Sequence, residues 1–479
     1  MTRLCRRRFV QGAAALGAAG ASGLFAPPLL AQARREGGGG GSRLPPRGEF
    51  TIANVYVMTM DGTLGDIAGG AVHVKNGDIV AVGKDVKGGG QKIDGTGMIV
   101  MPGLIDTHWH MWNTLYRSFA GDKPEEGYFP TVARFGQQMM PSDIYASTHL
   151  AAAEAINSGM TFVHSWCHNV RSAAHAEADV RALAEVGIRA RHSCGWPQGM
   201  PDTQSADQAP LETLARDWKS RSNEGLLQLG MAWRGQFRGG PIKPEVYQPE
   251  IDNARKLGVP ITVHAGSAKK AVNQIEPLSR AKCLGKDVQV IHAVSASDAE
   301  LDMLKEAGAS VSVSPGTELR TGFGYPQISE MVAKGIPLGI SVDTSALTGS
   351  SNLFAALKLA RDSENARALS EFKFPARRAL ELGTIGGARA MGIDDKVGSL
   401  VPGKRADLIA ISPNALNMAV VTDPAHLVLE ATGPENVDTV VVDGRILKRG
   451  GKLTAIDTQK VVADARQALA GVRERTKWR

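Results

Sequence analysis

Five residues of this 479-residue chain are of metal-ligating type and each stands at the end of an apolar run. His108 and His110 close GLIDTHWH, His264 closes PITVH, His292 closes VQVIH, and Asp343 closes LGISVD. Alternate residues of a strand project to one face, so His108 and His110 can aim both imidazoles at a single ion. An HxH by itself is weak, because two strand histidines are often just packed. The three distant residues strengthen it, since a His or Asp ending an apolar run is costly to bury without a partner. Imidazoles and a carboxylate converging on one ion leave a position for water, whose pKa the ion lowers toward ~7.

Residues so far apart converge only if a repeating architecture carries them. Between 101 and 394, apolar strand-length runs alternate with helical patterns, which predicts parallel strands joined by crossover helices. Eight strand candidates fall at 99–107, 160–164, 188–192, 226–233, 260–264, 288–292, 310–314 and 337–343. Eight such units make a (β/α)8 TIM-like barrel, an α/β fold whose strand C-termini share one face where active sites are built. Ser297 with Glu300 three residues on reads as a capping box, and Gly159 and Gly258 read as helix stops.

Outside the barrel, Val- and Ile-rich strands with turns at Asp61-Gly62, Asn76-Gly77 and Asp94-Gly95 read as a small β-domain. The pattern returns at 406–411 and 437–446, so the two chain ends are expected to build one β-sandwich. The expected division is a signal peptide at 1–33, a linker at 34–49, the sandwich at 50–100 and 395–455, the barrel at 101–394 and a C-terminal helix at 456–479.

The leader reading rests on Arg6-Arg7-Arg8-Phe9-Val10, an uncharged Ala/Gly/Leu run, and a small-residue cleavage site ending at Ala33. It resembles a twin-arginine signal, which implies export to the periplasm in a folded state. The leader carries four arginines and no acid out of a formal charge of +7. Most of the basicity therefore belongs to it, and no basic patch with interleaved aromatics suggests nucleic acid. No later stretch is apolar enough to span a bilayer. A small-molecule substrate is the expected partner. Cys167, Cys194 and Cys283 form no CxxC pair, which argues against cysteine-ligated zinc and leaves buried thiols or a Cys167–Cys194 bridge.

MIVMPGLIDTHWH, VGSLVPGKRADLIAI and the ordered His, His and Asp resemble the amidohydrolase superfamily, in particular its cytosine deaminase and triazine hydrolase branch. The resemblance spans nearly all of the mature chain. It implies that His108, His110, His264 and Asp343 hold a divalent metal, with His292 as a further ligand or a substrate-polarising group. Zinc is the first expectation, with iron, manganese or cobalt as alternatives. Asp343 and His292 are then the catalytic pair: Asp343 takes a proton from the attacking water, and His292 hydrogen-bonds the substrate oxygen. Homo-oligomers are common among such proteins.

Two departures narrow the chemistry. Deaminases of the superfamily carry a glutamate three residues after the fifth-strand histidine, where this chain has Ser267. A serine cannot shuttle protons at neutral pH, so hydrolysis of an amide, urea, carbamate or cyclic amide is favoured over ring deamination or dechlorination. Binuclear members place a lysine or carboxylate after the fourth strand, where this chain has Trp233 and Arg234. One ion is therefore favoured over two. Trp109, Trp112, His164, His168, His192 and Trp196 flank the same strand ends as substrate-pocket candidates, and Lys269, Lys270 and Arg320 as cations for an acidic substrate. A metal-dependent lyase or decarboxylase and a non-catalytic periplasmic binding protein are the competing readings. The complete set of ligand types argues against the latter.

Overall fold

The computed structural model describes residues 44–478 apart from 238, 239 and 269. The leader, the linker as far as residue 43, and Lys269 lie outside the described residues. Strands run in chain order as β1 (Glu49–Met58), β2 (Asp66–Lys75), β3 (Asp78–Gly83), β4 (Gln91–Asp94) and β5 (Ile99–Pro102). There follow β6 (Leu104–Trp109), β7 (Met160–Cys167), β8 (Arg189–Cys194), β9 (Leu227–Trp233), β10 (Ile261–Ala265), β11 (Val288–His292), β12 (Ser310–Val313) and β13 (Leu338–Ile340). The last four are β14 (Leu408–Ile411), β15 (Val437–Val442), β16 (Arg445–Arg449) and β17 (Lys452–Leu453).

Strands β6 to β13 form an eight-stranded parallel sheet in sequential order. Helices cover its outside and the main apolar core lies between them and the strands. The sheet curls until its first and last strands meet. Trp109 bridges to Asp343, Asp343 N–H donates to His108 O (3.0 Å), and His110 N–H donates to Asp343 O (2.6 Å). A buried side chain completes the seam: Asp106 accepts from Val342 N (2.8 Å) and from His108 N (3.1 Å).

The first strand candidate, 99–107, is divided in the structure. Residues 99–102 pair with β1 and β14, and only from Leu104 does the chain enter the barrel. The break falls at Pro102-Gly103. Proline has no N–H to give to a ladder, and a Cβ on Gly103 would run into Thr161.

Both chain ends supply the nine-stranded sheet that contains β1 to β5 and β14 to β17. Phe50, Ile52, Val72, Val74, Leu408 and Val441 lie in its own apolar core. It is fastened to the barrel by Arg189 of β8, whose guanidinium pairs with Asp407 (2.8 and 2.9 Å) and Asp443 (3.3 Å), all three buried. Charges in such a place persist only when paired and hydrogen-bonded.

Helix ends follow the local signals. Ser297 accepts from Glu300 N while Glu300 reaches back to Ser297 N (3.0 Å), the reciprocal box expected of that spacing. Gly258 stops its helix at φ +68°, a conformation that glycine adopts without steric cost. At the C-terminus a helix at Thr458–Thr476 packs on the helix Pro141–Asn157.

The barrel interior is layered. At the strand N-termini, Ile105 and Phe162 pack with Ala388, Met391, Ile393 and Val397. Above them lies a polar layer: Thr107 to Ser312 (2.7 Å), Ser312 to Ser341 (3.1 Å), and His164 Nε2 to Ser193 Oγ (2.7 Å). The ligand-type side chains stand on top of this layer.

Candidate metal centre and substrate pocket

His108, His110, His264 and Asp343 come together so that one ligand atom from each lies within 4.8 Å of the others. His108 Nε2 and His110 Nε2 both approach Asp343 Oδ1 at 3.2 Å. Three of the four are buried and His264 is partly exposed on the pocket wall. His108 Nε2 and Asp343 Oδ1 are nevertheless without hydrogen-bond partners. Buried donors and acceptors that converge yet do not bond one another are the arrangement a cation satisfies, and three imidazoles with one carboxylate is a set that suits zinc and its neighbours. The residues present therefore fit a divalent ion.

Protonation agrees with that fit. Burial pushes the His108 imidazole down to about 3, against an ordinary value of 6.5, and drives His264 well below it, so both rings are neutral as ligands must be. Burial works to raise the Asp343 carboxyl, but His108 and His110 more than offset it and hold it well below its usual range. His110 Nδ1 sits 3.4 Å from the Trp166 carbonyl, a backbone contact that leaves Nε2 for the cluster.

Backbone strain is concentrated at the same strand ends. Asp343 is held at φ +59° and His292 at φ +75°, the left-handed region that non-glycine residues rarely occupy. Such positions persist where the surrounding structure over-determines them. Here the barrel seam fixes Asp343 on both sides.

A pocket of about 840 Å³ opens over the cluster. His110, His264, His292 and Asp343 lie on its wall, joined by the aromatic rings of Tyr128, Phe129, Trp166, Trp196, Phe237 and Phe323. His292 is not one of the four converging residues. Its Nδ1 lies 3.0 Å from Glu318, and its ring stands edge-on to Phe323 at 5.8 Å. Burial would lower the His292 pKa, but the Glu318 hydrogen bond and the Asp343 and Glu318 charges raise it overall.

The other pocket candidates separate. His168 and Trp196 line the pocket, whereas Trp109, Trp112, His164 and His192 do not. Trp109 packs in the main core, and Trp112 donates its indole N–H to His168 Nδ1 (3.2 Å). His164 points into the barrel below the cluster, with Nδ1 on the Thr107 carbonyl (2.9 Å) and Nε2 on Ser193. His192 points the other way, onto Asp179 (2.6 Å) of the helix Ala173–Val186.

Arg234 after β9 is buried and paired with Glu250 (3.0 Å). Ser267 and Lys270 line the pocket and Arg320 does not. Cys167 and Cys194 face each other in register on β7 and β8, and both are free thiols, as is Cys283.

Sequence reasoning missed Glu318, Asp106 and the aromatic pair Phe129 and Phe323. Asp106 carried a signal, as an acid inside the apolar run GLIDTHWH. Glu318 carried none beyond its place in the first turn of a short helix behind Pro315.

A parallel barrel with three histidines and an aspartate at its strand C-termini defines a metal-dependent hydrolase architecture. Residues 99–447 match the amidohydrolase family, and the chain belongs to it. It is similar to the 5'-deoxyadenosine deaminase of Methanosarcina mazei, at 29% identity over 452 residues, covering 88% of this chain and 97% of that one. It is also similar to the 5-methylthioadenosine/S-adenosylhomocysteine deaminase of Acetivibrio thermocellus, at 28% over 427 residues, covering 86% and 96%.

Among solved structures, an adenosine deaminase from Xanthomonas campestris with bound zinc superposes with a TM-score of 0.78 at 22% identity, covering 90% of this chain and all of that one. A zinc complex of atrazine chlorohydrolase from Arthrobacter aurescens gives 0.75 at 22%, covering 88% and 100%. These two likenesses are of fold.

Proposed function

We propose that this chain is a one-ion hydrolase that cleaves a C–N bond of a small amide, urea, carbamate or cyclic amide. The observation that carries the reading is the buried cluster of His108, His110, His264 and Asp343 opening onto an aromatic pocket. A zinc ion held there supplies Lewis acidity, which makes water nucleophilic near neutral pH. Asp343, kept ionised, would accept a proton from the attacking water and return it to the departing nitrogen as the C–N bond breaks. His292 meets the substrate from the neighbouring strand end, and the aromatic wall excludes bulk water.

One ion is favoured because Arg234, tied to Glu250, occupies the fourth-strand position, and because His164 spends both ring nitrogens on protein groups. The deaminase names of the relatives support a second reading, removal of ammonia from an adenine nucleoside. Against it stands Ser267, a side chain on the pocket wall that cannot exchange protons at neutral pH.

The test is metal analysis of the purified protein with stoichiometry, followed by a screen of amides, ureas, carbamates, 5'-deoxyadenosine and 5'-methylthioadenosine. Hydrolysis of the first three classes is expected. Ammonia release from the nucleosides alone would establish the second reading, and full activity in metal-free protein would end both. His264→Ala and Asp343→Ala are each expected to lose the metal and at least about 1000-fold in kcat while the barrel stays folded by circular dichroism.

The Arg-rich start and apolar run before Ala33 support export in a folded state, which cell fractionation tests. The shared apolar core of β1, β2, β14 and β15 supports a sandwich for the sheet built from both chain ends.

A further inference from the structure

The hydrogen bond between His292 and Glu318 lies at the pocket wall and has no role in the reading above. His292 Nδ1 is 3.0 Å from Glu318 Oε1, and both side chains are buried. The same Oε1 accepts the backbone N–H of Ser314 at 2.8 Å, while Oε2 has no partner. A backbone N–H is only a donor, and it favours an oxygen without a proton, the better acceptor of the two. The hydrogen in the contact with His292 therefore sits on Nδ1, and the ring nitrogen left for the pocket is Nε2.

The backbone is committed to the same arrangement. His292 and Ala293 are held at φ +75° and +51°, and Ala293 N–H is tied to the Ala265 carbonyl (3.1 Å) of β10. Phe323 closes one flank of the ring at 5.8 Å. A strained strand end, an aromatic flank and a buried carboxylate all fix one orientation of one imidazole.

We propose that Glu318 is the positioning residue of this site: it pins the Nδ1 proton of His292 and so presents Nε2, an acceptor in the neutral ring, to a hydrogen of the substrate. The inference rests on the C–N hydrolase reading only for its catalytic consequence. The tautomer of His292 stands apart from it.

Glu318→Gln and Glu318→Leu separate the possibilities. Ser314 N–H forces the amide oxygen of a glutamine into the Oε1 position, where it still accepts from Nδ1–H. Leucine offers no acceptor. In the zinc-loaded enzyme the Leu variant is expected to lose about 100-fold in kcat with KM and zinc content within about twofold, whereas the Gln variant loses at most about tenfold.

Nitrogen-15 NMR of the histidine rings supplies a readout independent of turnover. His292, assigned by comparison with a His292→Gln sample, is expected as Nδ1–H in the wild type and in the Gln variant, and to lose that preference in the Leu variant. If the Leu variant does not fold, the wild-type and Gln spectra still decide. A wild-type His292 with a bare Nδ1, or a folded Leu variant with unchanged tautomer and kcat, would overturn the proposal. A pinned Nδ1–H in an enzyme that hydrolyses none of the screened C–N bonds would overturn the functional reading and leave the positioning intact.

Discussion

His164 offers a direct measurement of how dry the barrel is beneath the metal centre. Its ring is fully buried, and desolvation, aided by the Arg191 charge, drives its pKa well below 6.5 despite the bond to the Thr107 carbonyl. In the unfolded chain it titrates normally. Below pH 6.5 the unfolded state therefore binds a proton that the folded state refuses, so the wild type loses stability on acidification. An asparagine at 164 has no such proton.

His164→Asn is expected to cost roughly 2–4 kcal/mol at pH 7.5, because Ser193 Oγ and the Thr107 carbonyl lose a buried partner. The gap between wild type and variant should then close by about 2 kcal/mol on going from pH 7.5 to 5.0, which is the free energy of protonating one unfolded histidine. Chemical denaturation of both proteins in chelator, in parallel at pH 7.5, 6.0 and 5.0, gives the difference, in which all other titrations cancel. Parallel curves with a constant gap would show that His164 takes up a proton in the folded barrel, and the dry polar layer would have to be abandoned.

Two further substitutions probe the surroundings of the site. A Cβ at Gly339 would press on Thr107, which also supports His164, so Gly339→Ala is expected to cost about 1–3 kcal/mol and to weaken zinc binding, read by melting temperature and metal titration. Arg234→Met leaves Glu250 buried without its ion-pair partner and is expected to cost about 3–5 kcal/mol, most of it recovered when Glu250→Gln is added.

The residues legible in the sequence are those whose position follows from topology alone. Strand C-termini of a parallel barrel share a face, so His108, His264 and Asp343 could be brought together without knowing any side-chain direction. His164 and His192 show where that reasoning stops. Both sit on barrel strands beside the same face, but the strand alternates. His164 and Ser193 point inward and bond each other, whereas His192, one residue from Ser193, points out to Asp179. Both strands are buried on both sides, so no polar-apolar alternation in the sequence marks which residues face in. Glu318 was illegible for a different reason: its partner is set by how the short helix after β12 folds back on β11, which no strand pattern encodes.

The division at Gly103 has a consequence for how the site forms. Because β5 belongs to the other sheet, β6 is a short strand that meets, on the side away from β7, the segment just after β13, and the bonds that join them run through ligand residues. Asp343 N–H meets the His108 carbonyl, His110 N–H meets the Asp343 carbonyl, and Asp106 holds both Val342 and His108. The seam that closes the barrel and the seat of the metal are thus the same few residues. Asp106 is fully buried there and burial raises its pKa well above 3.8, opposed only by its two backbone donors. Closing the barrel brings His108, His110 and Asp343 to within bonding distance of one ion, and an ion bound there in turn ties the first strand to the last. Loss of metal is accordingly expected to loosen this seam, whose backbone bonds keep the barrel folded, which separates this centre from one carried on loops above a barrel already complete.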